Sequence, residues 1–182
     1  MNISQLPNII TIFRFLLVPP VVILLLEGQF GSALIVFALA GFSDALDGFL
    51  AKQFNWTSRI GALLDPLADK LLLVSTFVTL AWLGLIAPWL VALVILRDLV
   101  IVTGAVVYHM CIEHLEAEPS LVSKLNTFAQ ILLVLVVMFS RVFENIPGFW
   151  MDVLTYSVLI TVVWSGIDYV WTWSRRAWNR RA

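Results

Sequence analysis

The sequence predicts an all-α integral membrane protein, a bundle of six transmembrane helices that forms one domain over residues 1–182. Of the 182 residues, 61% are hydrophobic and 13% are charged, whereas soluble domains are about 45–50% apolar and about 25% charged. A soluble chain of this length could not bury so much apolar surface, so we expect the lipid bilayer to surround it. The net charge of −1 indicates no partner by bulk electrostatics, and we expect no nucleic-acid partner.

Six apolar stretches are each long enough to cross ~30 Å of hydrocarbon, which takes about 20 helical residues. They are predicted at 9–27, 31–51, 61–83, 88–109, 122–141 and 150–173. Polar residues precede the first stretch and Arg14 lies inside it, so we expect a retained helix rather than a cleaved signal peptide. The first seven residues are expected either to form a short interfacial helix or to fray.

The distribution of basic residues predicts the orientation, because cytoplasmic loops carry an excess of Lys and Arg. With six spans, both termini share one side with the 52–60 and 110–121 loops. The basic residues on that side are Lys52, Arg59, Arg175, Arg176, Arg180 and Arg181, against Arg141 in the opposite loops. We therefore expect both termini and the active site to be cytoplasmic, in the bacterial inner (plasma) membrane. Tryptophans expected to anchor the helices at the interface are Trp82, Trp89, Trp150, Trp171 and Trp173.

Four aspartates gather where the second and third stretches meet. Asp44 and Asp47 are three residues apart and Asp65 and Asp69 are four apart, so each pair shares a helix face. The connection is short, so the helices are predicted to be antiparallel neighbours with both pairs near one membrane surface. These carboxylates need a compensating positive charge, and their hard oxygens favour Mg²⁺, Mn²⁺ or Ca²⁺. Two such ions could clamp a diphosphate and activate a hydroxyl.

Two other interpretations of the aspartates are less favoured. Helix capping explains Asp65, which precedes Pro66, but it does not explain four carboxylates in register. A non-enzymatic cation-binding or transport protein would carry charges across the depth of the membrane, whereas these charges are predicted to cluster at one side.

The acidic motif resembles the signature of the CDP-alcohol phosphotransferase (CDP-alcohol phosphatidyltransferase) family. It reads Asp44-x2-Asp47-Gly48-x2-Ala51-Lys52-x8-Gly61-x3-Asp65-x3-Asp69. Lys52 departs from the family, which usually has Arg there, and the loss of the bidentate fork would loosen a phosphate contact. The resemblance covers nearly the whole chain, because the family also has six spans with this motif joining the second and third. It implies a CDP-linked lipid, typically CDP-diacylglycerol, two divalent cations (Mg²⁺ or Mn²⁺) and a homodimer.

The resemblance also implies a role for each aspartate. Asp44, Asp47 and Asp65 would chiefly bind metal, and Asp69 would take the proton from the acceptor hydroxyl while also touching a metal. The acceptor oxygen would then attack the lipid-side phosphorus, and CMP would leave. Residues expected at the nucleotide and CDP-lipid are Asn8, Thr11, Arg14, Gly48, Ala51, Lys52 and Gly61. The alternatives are that Asn8 caps the first helix, that Arg14 snorkels and that the glycines serve helix packing.

Arg97 inside the fourth stretch and Lys124 at the start of the fifth suggest a pocket for an acceptor phosphate. The alternative is a structural ion pair of Arg97 with Asp98 or Asp168. The chain resembles the glycerophospholipid branch of the family, which offers two acceptors. One is glycerol 3-phosphate, giving phosphatidylglycerophosphate, and the other is phosphatidylglycerol, giving cardiolipin with release of CMP. Motifs that lean towards the cardiolipin type are Arg97-Asp98 and Ser123-Lys124-Leu125-Asn126-Thr127-x2-Gln130; the first acceptor is the commoner, so both stay open.

Overall fold

The computed structural model describes the backbone of residues 6–54, 59–111, 121–143 and 146–179, and the side chains of 12–43, 67–104, 121–143, 146–169 and 171. This part of the chain is all-helical, with six helices. They are α1 Leu6–Leu26, α2 Phe30–Phe54, α3 Arg59–Trp82, α4 Pro88–Cys111, α5 Leu121–Val142 and α6 Gly148–Asn179. The predicted all-α class and the six helices are confirmed.

Several helices are longer than the apolar stretches that predicted them. Since α2 ends at Phe54 and α3 begins at Arg59, residues 52–54 and 59–60 of the loop expected over 52–60 are helical, and residues 55–58 lie outside the described residues. Lys52 therefore lies within α2, which corrects the prediction that it belongs to the loop, while Gly61 lies in α3 as expected. The reason is that hydropathy ends a stretch near the first charge, whereas Ala, Lys and Gln continue a helix readily.

The two ends of the chain also differ from the sequence-based expectation. Residues 6 and 7 of the proposed interfacial segment belong to α1, while residues 1–5 lie outside the described residues. At the other end, α6 continues to Asn179, past the predicted limit at 173.

Glycines in a left-handed conformation end α1 and α3. Gly28 has φ 74°, and its N–H donates to the carbonyl of Leu25 at 3.1 Å while the N–H of Gln29 donates to that of Leu24 at 2.8 Å. These nested bonds form a Schellman motif, which satisfies carbonyls that the helix leaves unpaired. Gly84, with φ 71°, repeats the arrangement at the end of α3. Both helices stop where the sequence supplies a residue without a Cβ.

The chain divides into two compact units, of which the first comprises Met1–Ile86 and Val134–Asn145. Within it, α1 packs against both α2 and α3. Its core contains fully buried Val21, Leu25, Phe77 and Leu80. The packing of α1 on both neighbours brings the helix with Arg14 against the two helices that carry the aspartate motif.

The second unit comprises Ala87–Leu133 and Ile146–Ala182. Within it, α4 packs against α6, and fully buried side chains include Leu90, Val94, Leu133 and Val158. The division leaves the prediction of a single domain over the whole chain as a prediction.

Apolar side chains are widespread on the described surface. Leu16 is 65% exposed, Phe42 63% and Trp164 64%. Two helical stretches are long and apolar enough to cross a membrane, Leu121–Val142 with mean hydropathy 1.9 and Gly148–Tyr169 with 1.4. Within the described residues these match the last two predicted spans, and the other four spans stay predictions. The described tryptophans among those expected at the membrane interface are all exposed: Trp82, Trp89, Trp150 and Trp171.

Candidate functional site

The four aspartates of the motif lie within helices of the first unit. Asp44 and Asp47 lie in the last part of α2, and Asp65 and Asp69 lie in the first half of α3. The helical backbone keeps the members of each pair on a common face. The side chain of Asp69 is described, whereas those of the other three aspartates lie outside the described residues. Among the described side chains no group of three or more His, Cys, Asp or Glu is placed to hold a metal, so the convergence of all four stays a prediction.

A partly buried ion pair joins α1 to α3 at this motif. The Nη1 of Arg14 donates a hydrogen bond to Oδ1 of Asp69. The side chain of Arg14 is 1% exposed and that of Asp69 is 44% exposed. A guanidinium enclosed by apolar helices needs an anion, and Asp69 supplies one while keeping almost half of its surface accessible. The predicted base and the arginine predicted to contact the nucleotide therefore touch each other.

Sequence reasoning missed this contact, although a signal for it existed. Arg14 is an intramembrane arginine, and such residues are usually paired. The aspartates of the motif, which need a compensating positive charge, were candidate partners for it. The facing helix could be identified from the sequence only if the rotation of α1 about its axis were known, and the nearly uniform apolar composition of α1 does not define that rotation.

The other residues predicted at the nucleotide and CDP-lipid are placed only by their backbone. Asn8 and Thr11 precede Arg14 on α1 at intervals of three, so the three positions follow one side of the helix. Four further positions lie within α2 and α3: Gly48, Ala51, Lys52 and Gly61. The side chains of these six residues lie outside the described residues, and their roles stay predictions.

Arg97 forms the polar centre of the second unit. It is 7% exposed, and its Nη1 donates to Oδ1 of Asp98 at 2.7 Å. Its Nη2 donates to Oγ of Ser123 at 2.7 Å and to Oγ of Ser165. Its Nε donates to the same Ser165 hydroxyl at 3.1 Å. Side chains on α4, α5 and α6 thus meet at one guanidinium.

Three predictions about Arg97 can be compared with this geometry. The structural pair with Asp98 is present, whereas the described residues show no ion pair between Arg97 and Asp168. Lys124 is exposed and directly follows Ser123, a partner of Arg97. Sequence reasoning missed Ser165, because one serine in an apolar helix gives no signal of its own. An acceptor phosphate at Arg97 stays a prediction.

The glycine and small residues of α2 were expected to serve helix packing. Gly31 fits this role, since a Cβ there would meet Cγ2 of Val142 at 3.7 Å. No described atom lies within 4 Å of a Cβ built at Gly41, so its role in helix packing stays a prediction. The buried small residues described on α2 are Ala33 and Ala40, both 0% exposed.

The comparison with known proteins identifies the class. Residues 4–165 match the family model described as CDP-alcohol phosphatidyltransferase. This match covers most of the chain, so the chain belongs to the CDP-alcohol phosphatidyltransferase family. The resemblance inferred from the aspartate motif is confirmed.

Relatives of two named kinds match the chain. A CMP-forming cardiolipin synthase from Rattus norvegicus is 32% identical over 92% of the chain and 61% of its own length. Another from Streptomyces coelicolor is 40% identical over 53% of the chain and 48% of its own length. A CDP-diacylglycerol–glycerol-3-phosphate 3-phosphatidyltransferase from Aquifex aeolicus is 30% identical over 91% of the chain and 93% of its own length. The chain therefore spans about three fifths or less of these cardiolipin synthases and nearly all of the Aquifex protein.

Proposed function

We propose that this chain is an integral membrane enzyme of phospholipid biosynthesis. It transfers the phosphatidyl group of CDP-diacylglycerol to the hydroxyl of a glycerol-type acceptor and releases CMP. The observation that carries this proposal is the Arg14–Asp69 pair. It joins α1 to the fourth aspartate of the family motif and holds that carboxylate at an accessible position. The family match over residues 4–165 favours this proposal over a cation-transport protein.

The motif suits two divalent cations, Mg²⁺ or Mn²⁺. Its donors are all carboxylate oxygens, which hard cations prefer, and the 44% exposure of Asp69 leaves that carboxylate within reach of an ion. Asp44, Asp47 and Asp65 would hold the ions together with Asp69. Bound cations would neutralise the charge of the diphosphate and the charge on departing CMP.

The chain's own residues perform the remaining chemistry. The Asp69 carboxylate accepts the proton of the acceptor hydroxyl as that oxygen attacks the lipid-side phosphorus. A new O–P bond forms, the O–P bond to CMP breaks, and the electron pair of the broken bond leaves with CMP. Arg14 is a positioning residue, because its contact with Oδ1 fixes the orientation of the Asp69 carboxylate. Asn8, Thr11, Gly48, Ala51, Lys52 and Gly61 would bind the nucleotide and CDP-lipid.

Phosphatidylglycerol is the acceptor that the second unit favours. Arg97 already has a carboxylate partner in Asp98 at 2.7 Å, so its immediate surroundings offer little net positive charge. A phosphodiester carries one negative charge, whereas a phosphate monoester such as glycerol 3-phosphate carries nearly two at neutral pH. The weaker charge fits the surroundings of Arg97 better, and exposed Lys124 follows Ser123, a partner of Arg97, in the sequence. The product would be cardiolipin.

Glycerol 3-phosphate is the second candidate. It is supported by the similarity to the Aquifex phosphatidyltransferase, which is 30% identical over 91% of the chain. With this acceptor, Lys124 would supply the additional positive charge for the phosphate monoester.

The membrane part of the proposal rests on composition and surface. Two apolar helical stretches meet the length for a span, and apolar side chains of α1 and α2 such as Leu16 and Phe42 are mostly exposed. We propose that α1 to α4 also cross the bilayer, that the aspartates face the cytoplasm, and that the enzyme forms a homodimer.

The proposal can be tested with purified protein in detergent. The protein is incubated with CDP-diacylglycerol, Mg²⁺ or Mn²⁺, and either phosphatidylglycerol, glycerol 3-phosphate or no acceptor. CMP release is measured, and the lipid product is identified by its mass. Cardiolipin is the expected product, phosphatidylglycerophosphate would select the second candidate, and absence of CMP with every acceptor would refute the enzyme.

A matched pair of variants tests the base. Asp69→Asn should abolish turnover while leaving metal-dependent binding of CDP-diacylglycerol largely intact, because the amide keeps the shape but cannot accept the proton. Asp152→Asn, at an exposed position of α6, is the control and should turn over at the parental rate. Parental turnover by Asp69→Asn would remove Asp69 from the role of base.

A further inference from the structure

A row of polar side chains lies inside the second unit. On α5, positions 123, 126 and 130 are three and four residues apart, so they follow one face of that helix. On α6, positions 161 and 165 are four apart and do the same. The two rows meet, because the Thr161 hydroxyl lies 3.1 Å from Oδ1 of Asn126 while Ser123 and Ser165 share Arg97.

The row contains two amide nitrogens for which the described part of the chain offers no hydrogen-bond partner. Nδ2 of Asn126 and Nε2 of Gln130 are buried and have no hydrogen-bond partner among the described residues. The two residues are 1% and 2% exposed. Buried polar atoms in native proteins are nearly always paired, so an unpaired amide calls for an explanation.

One usual explanation for an unpaired amide nitrogen, an amide placed the wrong way round, is available for Asn126. If the Asn126 amide is turned over, its nitrogen can donate to the Thr161 hydroxyl, which itself has carbonyl acceptors in Ser157 and Val158. The turned amide then points its oxygen to where the nitrogen was. The described residues show no hydrogen bond between Gln130 and a hydroxyl. A polar group from outside the chain would satisfy both amides.

The position of the row indicates how such a group could enter. The row begins in the first turn of α5, where Lys124 is exposed, and continues inward. With a rise of 1.5 Å per residue, Asn126 lies ~4.5 Å and Gln130 ~10 Å beyond Ser123 along the helix. The Arg97 guanidinium contacts the row at its outer end through Ser123, so a cationic position is followed by neutral donors.

We propose that the amides of Asn126 and Gln130 bind the secondary hydroxyl of the acceptor's glycerol group, the hydroxyl that does not react. A cation followed by uncharged N–H donors suits a ligand with a phosphate next to a hydroxyl-bearing carbon chain, since a neutral amide satisfies a hydroxyl oxygen without a charged partner. This assignment rests on the proposed function, in which the acceptor is of glycerol type. The two amides are specificity-determining residues.

The experiment compares acceptors with and without that hydroxyl. The soluble pair is glycerol 3-phosphate and propane-1,3-diol monophosphate, and the lipid pair is phosphatidylglycerol and phosphatidylpropanediol. The acceptor KM and kcat are measured for each pair with the parental enzyme, with Gln130→Met, which keeps the length of the side chain without its donors, and with Asn126→Leu. Gln29→Met, at an exposed position, is the control.

The parental enzyme should prefer the acceptor that has the secondary hydroxyl by about tenfold in kcat/KM, which corresponds to ~1.4 kcal/mol. Gln130→Met should lose most of that preference while its KM for CDP-diacylglycerol and its Tm stay unchanged, because removal of an unpaired donor does not destabilise the protein without acceptor. The acceptor pair that the enzyme converts shows whether the glycerol group comes from a soluble phosphate ester or from a lipid headgroup.

Two results would overturn the assignment. One is an unchanged preference in both Gln130→Met and Asn126→Leu. The other is a lower Tm in Gln130→Met with an unchanged preference, which would show that the amide holds an internal water or a structural partner. Absence of CMP from the parental enzyme with all four acceptors would instead refute the proposed function, and equilibrium binding of the two lipid acceptors to the protein would then test the amides directly.

Discussion

The coupling free energy of the Arg14–Asp69 pair measures how strongly α1 is coupled to the predicted base. Two unit charges about 4 Å apart attract each other by about 4 kcal/mol at an effective dielectric constant near 20. Asp69 is 44% exposed, so water screens part of this attraction, and exposed pairs contribute only about 0.2–1 kcal/mol. Arg14 is 1% exposed, which places the pair between these limits. We expect a coupling free energy of about 2 kcal/mol.

A double-mutant cycle measures this coupling. Arg14→Met, Asp69→Asn and the double variant are unfolded at equilibrium in mixed micelles without divalent metal, and the three changes in the free energy of unfolding are combined. Each single variant should be destabilised, and the double variant should be less destabilised than the sum of the two. Arg141→Met, at an exposed position in the last turn of α5, is the control and should change the free energy of unfolding by less than about 0.5 kcal/mol.

The outcome separates two roles of Arg14. A coupling of about 2 kcal/mol, together with a fall in kcat for Arg14→Met, would support a positioning contact. A coupling below about 0.5 kcal/mol would refute the reasoning, because it would mean that each side chain keeps its stability without the other. Arg14→Lys should recover the charge but not the fork geometry, so it should restore more of the stability than of the kcat.

Three further predictions address the helix ends, Arg97 and the metal. Gly84→Ala should lower the free energy of unfolding by about 1 kcal/mol, because the residue has a left-handed φ. The control Gly166→Ala, in ordinary helix with open space for an added Cβ, should not lower it, and denaturant titration compares the two. Ser165→Ala removes the hydroxyl that accepts from Nε and Nη2 of Arg97 and should cost about 2 kcal/mol, whereas exposed Ser32→Ala should change stability little. When the Mg²⁺ concentration is about 100 times the Kd, removal of Mg²⁺ should lower the free energy of unfolding by about 2.7 kcal/mol. An unchanged Tm after chelation would contradict metal binding by the folded protein.

The sequence predicted the number and order of the helices because long apolar runs and turn residues alternate along it. It misplaced the helix ends around Lys52, since hydropathy responds to a charged side chain that a helical backbone accommodates without difficulty. Gly28 and Gly84 ended their helices near the predicted positions, because a left-handed cap depends on one residue and its immediate neighbours. Local chemistry thus predicted the helices well.

The contacts between helices were harder to predict. The pairing of Arg97 with Asp98 was a stated alternative, because adjacent residues are close in any fold. The contacts of Arg97 with Ser165 and of Arg14 with Asp69 join positions 68 and 55 residues apart. They depend on how each helix is rotated about its own axis, and an apolar sequence whose surroundings are also apolar defines that rotation poorly.

The two buried arginines have different described partners, and the difference bears on what each can bind. Arg14 holds a carboxylate that the proposed reaction needs, so replacement of that partner by a substrate phosphate would disturb the base. Arg97 keeps one carboxylate, Asp98, and donates its remaining described hydrogen bonds to the hydroxyls of Ser123 and Ser165. A phosphate oxygen forms charge-assisted bonds with a guanidinium that are about twice as strong as those of neutral acceptors. A phosphate oxygen can therefore displace a serine hydroxyl from Arg97 while Asp98 stays in place. Arg97 is thus the arginine suited to exchange a partner, and Arg14 is the one suited to keep its carboxylate.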